Sequence, residues 1–371
     1  MESTPATVLK RGEKVRVTVE KVAHGGHFIA RYNSIVIFVR HAIPGEDVTV
    51  EVTDITKNFA RADVVEIHQA SPDRVVPPCS FAGSCGGCDF QHISFERQRE
   101  LKSDVIHEQF ARLAKMEVRI PVEECGPSLG WRVRATATAN KEGKLGFYRY
   151  RSNTVLPVSD CIVLHPSLKY REKAHERYEA DEKVRFLPSA ELSLHLSESS
   201  FWQGHVNAPK VLTGALLDSV EIREGDHIFD LYGGVGLFTS ALLEKVGPGG
   251  RIDLIEGNRH ACVDAEKNFE DKANVKVHRA NVEKALPRFK RADIVVLDPP
   301  REGAGEKVID GIIALNPRAI AYVACDPAAL ARDTVYLRDG GYKISKIRAF
   351  DLFPMTHHIE LIAVYQRDGV L

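Results

Sequence analysis

Across residues 8–67 apolar and polar positions alternate in short runs. Val15, Val17 and Val19 share one face of a strand, Val48, Val50 and Val52 share another, and residues 35–39 form a continuous apolar run. His24-Gly25-Gly26 and Ile43-Pro44-Gly45-Glu46 punctuate them as turns. Several short strands in so short a stretch predict a small closed barrel. Beyond it the period changes. Phe95, Leu101, Val105, Phe110 and Leu113 recur at helical spacing and predict a helix over 94–116, with Ser94 as its cap and Arg97 where a capping box has Glu or Gln. Residues 131–151 alternate again, with a turn near Glu142-Gly143, as in a strand pair. From 201 onward strands and helices take turns. Strands are expected at 227–231, 251–256, 275–278, 293–297, 319–324 and 359–365, and helices at 236–246 and 259–271. That order predicts a doubly wound α/β sheet.

The chain of 371 residues is long enough for two or three domains, and the changes of period divide it into 1–66, 67–200 and 201–371. It has no run of 18 apolar residues, so no membrane span is expected, and Met1-Glu2-Ser3-Thr4 lacks the character of a signal peptide. Seven cysteines, odd in number and not spaced as a disulfide framework, point to a reducing cytoplasm. The net charge of −1 argues against a generic nucleic-acid glue and requires any basic surface to be local. Acidic and basic residues balance over 1–66. Residues 131–151 carry six basic residues against one acidic, interleaved with Trp131, Phe147, Tyr148 and Tyr150. Such a stretch suits an RNA track, with aromatic faces for splayed bases; the alternative is a solvated hairpin with an apolar inner face.

Four features carry chemistry. Cys79, Cys85 and Cys88, with Gly86-Gly87 between the last two and Cys161 farther on, can hold zinc or an iron–sulfur cluster. Gly233, Gly234 and Gly236 follow Asp230 at the first strand-to-helix turn, where backbone approaches a ligand. Glu256, ending the second strand, can accept ribose hydroxyls, and Asn281, after the third, can meet an adenine edge. A nicotinamide dinucleotide enzyme is the rival explanation of such a turn. Cys325 ends a strand just before Asp326, a good N-cap, and Pro327, a good first helical residue. A cysteine there faces the ligand crevice, and the helix dipole is expected to lower its pKa, partly opposed by Asp326. Near the C-terminus stands Glu360, preceded by His357 and His358. Adjacent histidines in a strand point to opposite faces, so one metal is not expected on both. Cys125 and Cys262 read as ordinary small core or loop residues.

The string from Cys79 to His92 resembles the cluster motif of the bacterial RNA uracil-5-methyltransferases, and the rest of the chain resembles them in the same order. Ala23-His24-Gly25-Gly26 with Ala30-Arg31 is similar to the TRAM module, an OB-like RNA-binding barrel. Phe201-Trp202-Gln203 resembles the family's Phe-x-Gln element, although Gly204-His205 stands where Val-Asn is usual. Contacts of that Asn are therefore not carried over to Asn207. Asp298-Pro299-Pro300-Arg301 resembles the uracil-5 family rather than the amine methyltransferases, which carry an aromatic fourth residue. The stretch from Ala324 to Asp333 resembles the nucleophile motif Ser-Cys-Asn-Pro-x-Thr-Leu-Ala-Arg-Asp, with Asp326 in place of Asn. His358-Ile359-Glu360 resembles the family's His-Val-Glu.

The resemblance implies a multidomain chain: an N-terminal OB-like TRAM barrel, a central α+β iron–sulfur and RNA-binding region whose helix can pack on the catalytic domain, and a C-terminal class I methyltransferase domain. It implies methylation of uridine C5 in RNA from S-adenosylmethionine, with Cys325 adding to C6 and Glu360 removing the C5 proton. Gln203 and Asp298 would orient the uracil, with Phe201 near the base. Gln203, Tyr232, Gly233, Gly234, Gly236, Glu256, Asn281 and Asp298 would hold the cofactor. A [4Fe-4S] cluster on Cys79, Cys85, Cys88 and Cys161 would be structural or RNA-positioning, since methyl transfer needs no electron. The 23S rRNA is the expected substrate, with tRNA the alternative. A non-catalytic RNA-binding protein that kept the fold is the rival of another class, and intact Cys325 and Glu360 argue against it. No obligate protein partner is evident. A cytosine-5 enzyme is disfavoured because its Pro-Cys nucleophile belongs where Asp298-Pro299-Pro300 stands, and a radical enzyme because the cysteine spacing is not C-x3-C-x2-C.

Overall fold

The computed structural model describes residues 9–186 and 194–367; the opening Met1-Glu2-Ser3-Thr4 lies outside the described residues. Strands β1 (Lys14–Ala23), β2 (His27–Tyr32), β3 (Ile35–Arg40), β4 (Asp47–Ile55) and β5 (Phe59–Gln69) close a barrel in the order β1-β2-β3-β5-β4. Closure follows from the alternation. Val15, Val17 and Val19, Phe28 and Ala30, Ile37 and Val39, Val48, Val50 and Val52, and Ala60 and Ala62 all point inward and are buried. Glu46, fully buried at the foot of the barrel, accepts from Arg74 Nε at 2.6 Å and from the amides of Ile43 and Ser71, fastening the barrel to the chain that follows.

Ser94 caps helix α1 (Phe95–Gln109) by accepting from the Arg97 amide, and α1 runs into a π turn, Phe110–Ala114, that stops at Lys115 in the left-handed region. Next come β6 (Val122–Glu124), β7 (Ala135–Ala139), β8 (Leu145–Tyr148), β9 (Val155–Pro157), the single turn α2 (Tyr170–Lys173) and β10 (Lys183–Phe186). Strands β7 and β8 are the expected hairpin, and the small sheet runs β10-β7-β8-β9.

The C-terminal part comprises α3 (Ala208–Leu217), β11 (His227–Leu231), α4 (Leu237–Val246), β12 (Arg251–Glu256), α5 (Arg259–Asn268), β13 (Val275–Arg279), α6 (Val282–Ala285), β14 (Ile294–Leu297), α7 (Glu306–Ala314), β15 (Ala319–Ala324), α8 (Pro327–Asp339), β16 (Tyr342–Asp351) and β17 (Glu360–Arg367). Its sheet reads β13-β12-β11-β14-β15-β17-β16-β6. The first five strands are parallel, and β17 lies antiparallel between β15 and β16. Strand β16 has no counterpart among the sequence expectations. Lys343, Lys346 and Arg348 interrupt its apolar positions, and a register shift lies between Ile344 and Lys346. Strand β6 comes from the middle of the chain and pairs in parallel with β16, Val122 opposite Ala349. Helix α1 packs on α8, and a buried ion pair from Lys102 Nζ to Asp351 Oδ1, 2.6 Å, joins α1 to the end of β16. Among the described residues no helix is long and apolar enough to cross a membrane.

Candidate active site

The carboxyl ends of β11, β12, β14 and β15 open on a cleft of about 1170 Å³, walled on its far side by Arg132 and Arg134 ahead of β7, by the end of β8 and by the residues after it. This is where a doubly wound sheet places its ligands. Phe201, Gln203, Tyr232, Gly234, Glu256, Asp298, Cys325 and Glu360 line it together. Gly233, Gly236 and Asn281 do not. A Cβ at Gly233 would fall 2.6 Å from Leu254 Cγ, and one at Gly236 would overlap the Phe269 ring. These two glycines are required from behind, by the packing of the turn on α5 and β12. Asn281 accepts from the Lys284 amide and is the N-cap of α6.

The glycine turn carries its own evidence of a ligand. Gly234 and Gly236 adopt positive φ, as does Tyr232, and nothing lies within 4 Å of where a Cβ on Gly234 would be. Glu256 accepts from the Gly234 amide at 3.0 Å. Asp230 is fully buried. One of its oxygens accepts from the amide and hydroxyl of Thr239, and the other has no hydrogen-bond partner among the described residues. Burial pushes the Asp230 carboxyl up to about 6. An unpartnered acceptor beside an open glycine turn suits the ammonium of an amino-acid cofactor, so the chain fits S-adenosylmethionine here.

Three acids crowd the reacting end. Burial, and then the charge of Asp230, pushes Asp298 up, against a 3.5 Å contact from Gln203 Nε2. Glu360, the first residue of β17 and 4% exposed, is raised well above the carboxylate range by burial and then by Asp298, while Arg301 pulls it down. Cys325 feels the same field: burial, Glu360 and Asp298 push its thiol up to about 12, with Arg301 the opposing charge. The expected lowering of this thiol by the α8 dipole is therefore not found. Burial is the largest cause, and Asp326, whose Oδ1 accepts from the amides of Ala328 and Ala329, adds its negative charge to the rise. Arg301, without an assigned role in the sequence, is the cation that acts on both Cys325 and Glu360. Its guanidinium donates to His358 Nε2 at 3.3 Å, and His358, held near 3 by burial and the neighbouring His357, is neutral and able to accept. Asp333 fixes the loop that carries Arg301, accepting from Tyr322 Oη and from the amides of Ala304 and Gly305.

The outer wall is basic and partly aromatic. Arg132, Arg134, Arg149, Arg151 and Tyr148 line the cleft, and the Arg134 guanidinium sits 4.3 Å from the centroid of Phe201, which is 55% exposed. Trp131 is not available to a base: it is buried, stacked on His205 and edge-on to Phe353. Tyr150 is held by the barrel, under Arg40 and hydrogen-bonded to His27. His357 and His358 do not take opposite faces, because they precede β17 in a loop; their rings lie 4.2 Å apart, and His357 Nδ1 meets Asp89 at 2.6 Å.

Cys79, Cys85, Cys88 and Cys161 line a second cavity of about 90 Å³, walled by Phe81, Phe147, Val158, Ile162 and Leu164. Burial pushes the Cys88 thiol up to about 12, and Cys161 and Cys85 add to the rise. As placed, no group of three or more His, Cys, Asp or Glu among the described residues forms a metal-binding set. The four thiols share a cavity, not a coordination shell. Cys125 and Cys262 are buried, their thiols directed at the carbonyls of Glu123 and Glu256. Asn207 donates to the Cys125 carbonyl at 2.9 Å.

Comparison with known proteins agrees with this geometry. Residues 8–65 match the TRAM domain family and residues 181–367 the tRNA (Uracil-5-)-methyltransferase family. An uncharacterized RNA methyltransferase of Streptomyces avermitilis is 37% identical, covering 96% of this chain and 98% of its own. Another from Bdellovibrio bacteriovorus is 32% identical, over 96% of each. Among solved structures, the Pyrococcus abyssi tRNA (uracil-54, C5)-methyltransferase in complex with S-adenosyl-L-homocysteine shares the fold, with a TM-score of 0.68 and 21% identity over 95% of this chain and all of that one. The chain belongs to the tRNA (uracil-5-)-methyltransferase family and is an S-adenosylmethionine-dependent RNA (uracil-5-)-methyltransferase with an N-terminal TRAM domain.

Proposed function

We propose that this enzyme methylates a uridine of 23S rRNA by covalent catalysis, with Cys325 as nucleophile and Glu360 as base. The observation that carries the proposal is that Cys325, Glu360, Asp298 and Gln203 line one cleft, the thiol and the two acids within reach of each other's charge. Uracil C5 is too electron-poor to take a methyl group unaided. Addition of the Cys325 thiolate to C6 forms an S–C6 bond and moves the electron pair into an enolate, which makes C5 nucleophilic. S-adenosylmethionine, when bound at the glycine turn, supplies the methyl group. Glu360 then takes the C5 proton, the C5=C6 bond re-forms and the thiolate leaves, so that one proton is released per cycle. Gln203 offers a donor and an acceptor to the edge of the base, Asp298 an acceptor for its N3–H, and Phe201 an apolar face.

Burial and the surrounding acids oppose thiolate formation in the free protein. Arg301 is placed to support the anion, and Glu360, raised and so protonated in the free protein, must give up its proton to solvent before it can take the one on C5. The apolar cavity shared by Cys79, Cys85, Cys88 and Cys161 supports a [4Fe-4S] cluster there, although the thiols as placed form no coordination shell; the four would hold it as thiolates, and iron would supply the positive charge that they need. Barrel and cluster together favour rRNA, whereas the name of the matching family favours tRNA.

RNA carrying 5-fluorouridine at the target position separates these ideas. Fluorine cannot leave C5 as a cation, so the wild-type enzyme is expected to stop as a protein–RNA adduct stable to denaturation. Cys325→Ala is expected to form none while binding S-adenosylmethionine as tightly as wild type; an adduct in that variant would overturn the covalent assignment. Mapping 5-methyluridine in 23S rRNA and tRNA from cells with and without the gene decides the substrate.

A further inference from the structure

The turn between β1 and β2 touches the catalytic domain at two places. His24 Nε2 lies 2.9 Å from Asp326 Oδ2, across 302 positions of sequence, with side chains 39% and 22% exposed. A carboxylate accepts only, so Nε2 carries the hydrogen. Two residues on, Gly26 sits at φ +80° against His357, and a Cβ there would fall 2.9 Å from His357 Nδ1. One barrel turn thus rests on the helix start that follows Cys325 and on the loop that leads into Glu360. Asp326 is fully occupied: Oδ1 holds the first amides of α8, and Oδ2 takes the bond from His24. Burial works against its ionisation, but His24 and the two amides outweigh this and hold Asp326 below the usual carboxylate range.

We propose that His24 is a positioning residue of the methyl-transfer site: by hydrogen-bonding Asp326 it fixes the start of α8 and offsets the negative charge beside Cys325, so that the barrel completes the seat of the nucleophile. The proposal rests on Cys325 being the nucleophile. The motif that this segment resembles has a neutral Asn where Asp326 stands, so this chain carries an extra negative charge next to its thiol together with a partner that offsets it. The groups that bear on Cys325 are Glu360, Asp298 and Asp326, which disfavour the thiolate, and Arg301, which favours it. Without His24, Asp326 keeps its charge, held by the amides of α8, but loses the donor that disperses it.

The test reads the thiol directly. Alkylation of Cys325 by iodoacetamide is followed against pH in the full-length protein by mass spectrometry of its peptide. His24→Ala is expected to move the midpoint upward by about half a unit, since a partner acting through one carboxylate does less than a directly paired charge. His24→Gln, which keeps an N–H in reach of Asp326, moves it less. Asp326→Asn moves it downward, and His24→Ala added to Asp326→Asn moves it no further, the non-additivity expected of a pair acting as one unit. In methylation assays near pH 7 the His24→Ala loss is expected in kcat, about threefold for half a unit, rather than in KM for RNA. Equal midpoints in wild type and His24→Ala, or a loss confined to KM, would overturn the proposal. If wild type fails to trap 5-fluorouridine RNA while the midpoints still move, the nucleophile assignment falls and the link between His24 and the thiol stands.

Discussion

At the scale of single residues the site is an arrangement of raised acids around one thiol. Glu360 is placed to act last in the cycle, so its loss should not prevent the first bond. Glu360→Gln is expected to transfer methyl but to stall before elimination, accumulating a methylated adduct on denaturing gels. Cys325→Ala combined with Glu360→Gln should accumulate none. Normal turnover by Glu360→Gln, with trapping by a His357 or His358 variant, would move the base to a histidine. Asp230 supports a second prediction, about stability. An unfolded Asp titrates near 4 (roughly), whereas burial holds Asp230 near 6 in the fold. The folded state therefore binds the proton more tightly, and the associated stability is complete below the unfolded value and lost as pH rises through the folded one. The unfolding free energy of the ligand-free protein, from urea titrations, should fall between pH 4 and 6 by about 2–3 kcal/mol. Asp298 and Glu360, also raised, extend the loss to higher pH, and Asp230→Asn should flatten the lower part of the curve.

Among elements, the ion pair of Lys102 and Asp351 is the clearest case of an interaction whose halves cannot be removed singly. Both are buried, and Lys102 Nζ also donates to the Phe353 carbonyl at 3.1 Å, at the start of the loop that leads to Glu360. Lys102→Ala or Asp351→Ala should each cost about 3–5 kcal/mol by denaturant titration. Lys102→Met with Asp351→Leu should recover much of that loss, because an apolar pair leaves no unpaired charge. Elements bounded by turns and filled with apolar residues were legible in the sequence. Strands β11, β12 and β15 fall where the pattern puts them, because Ile228, Leu254 and Ile320 have neighbours on both faces of the sheet. Strand β16 escaped because exposed Lys343, Ser345 and Lys346 break up its apolar positions. Trp131 was misplaced because an aromatic residue among arginines reads equally as a stacking platform or as core. The thiol of Cys325 was misjudged because its burial and its neighbours Glu360 and Asp298, which come from distant parts of the chain, push it up. Contacts such as His24 with Asp326 leave no mark in any local pattern.

For the whole molecule, the cysteine cavity should declare itself on anaerobic purification, with iron in the protein and the broad visible absorption of thiolate-bound clusters. Stoichiometric zinc without iron would overturn that assignment. The parts of the chain are less separable than their matches suggest. The methyltransferase family match begins at residue 181, yet the catalytic sheet takes its eighth strand from residues 122–124, and α8 is covered by a helix that starts at residue 95. The stretch spanned by the family match and the stretch that folds as a unit therefore have different borders. A gene fragment started at the family border would leave one edge of the sheet without its neighbour, strip an apolar helix face of its cover and orphan Asp351 in the core. Such a fragment would be expressed as a sticky, aggregating product rather than as a small working methylase, and domain exchange between relatives should succeed only when the splice falls ahead of Ser94.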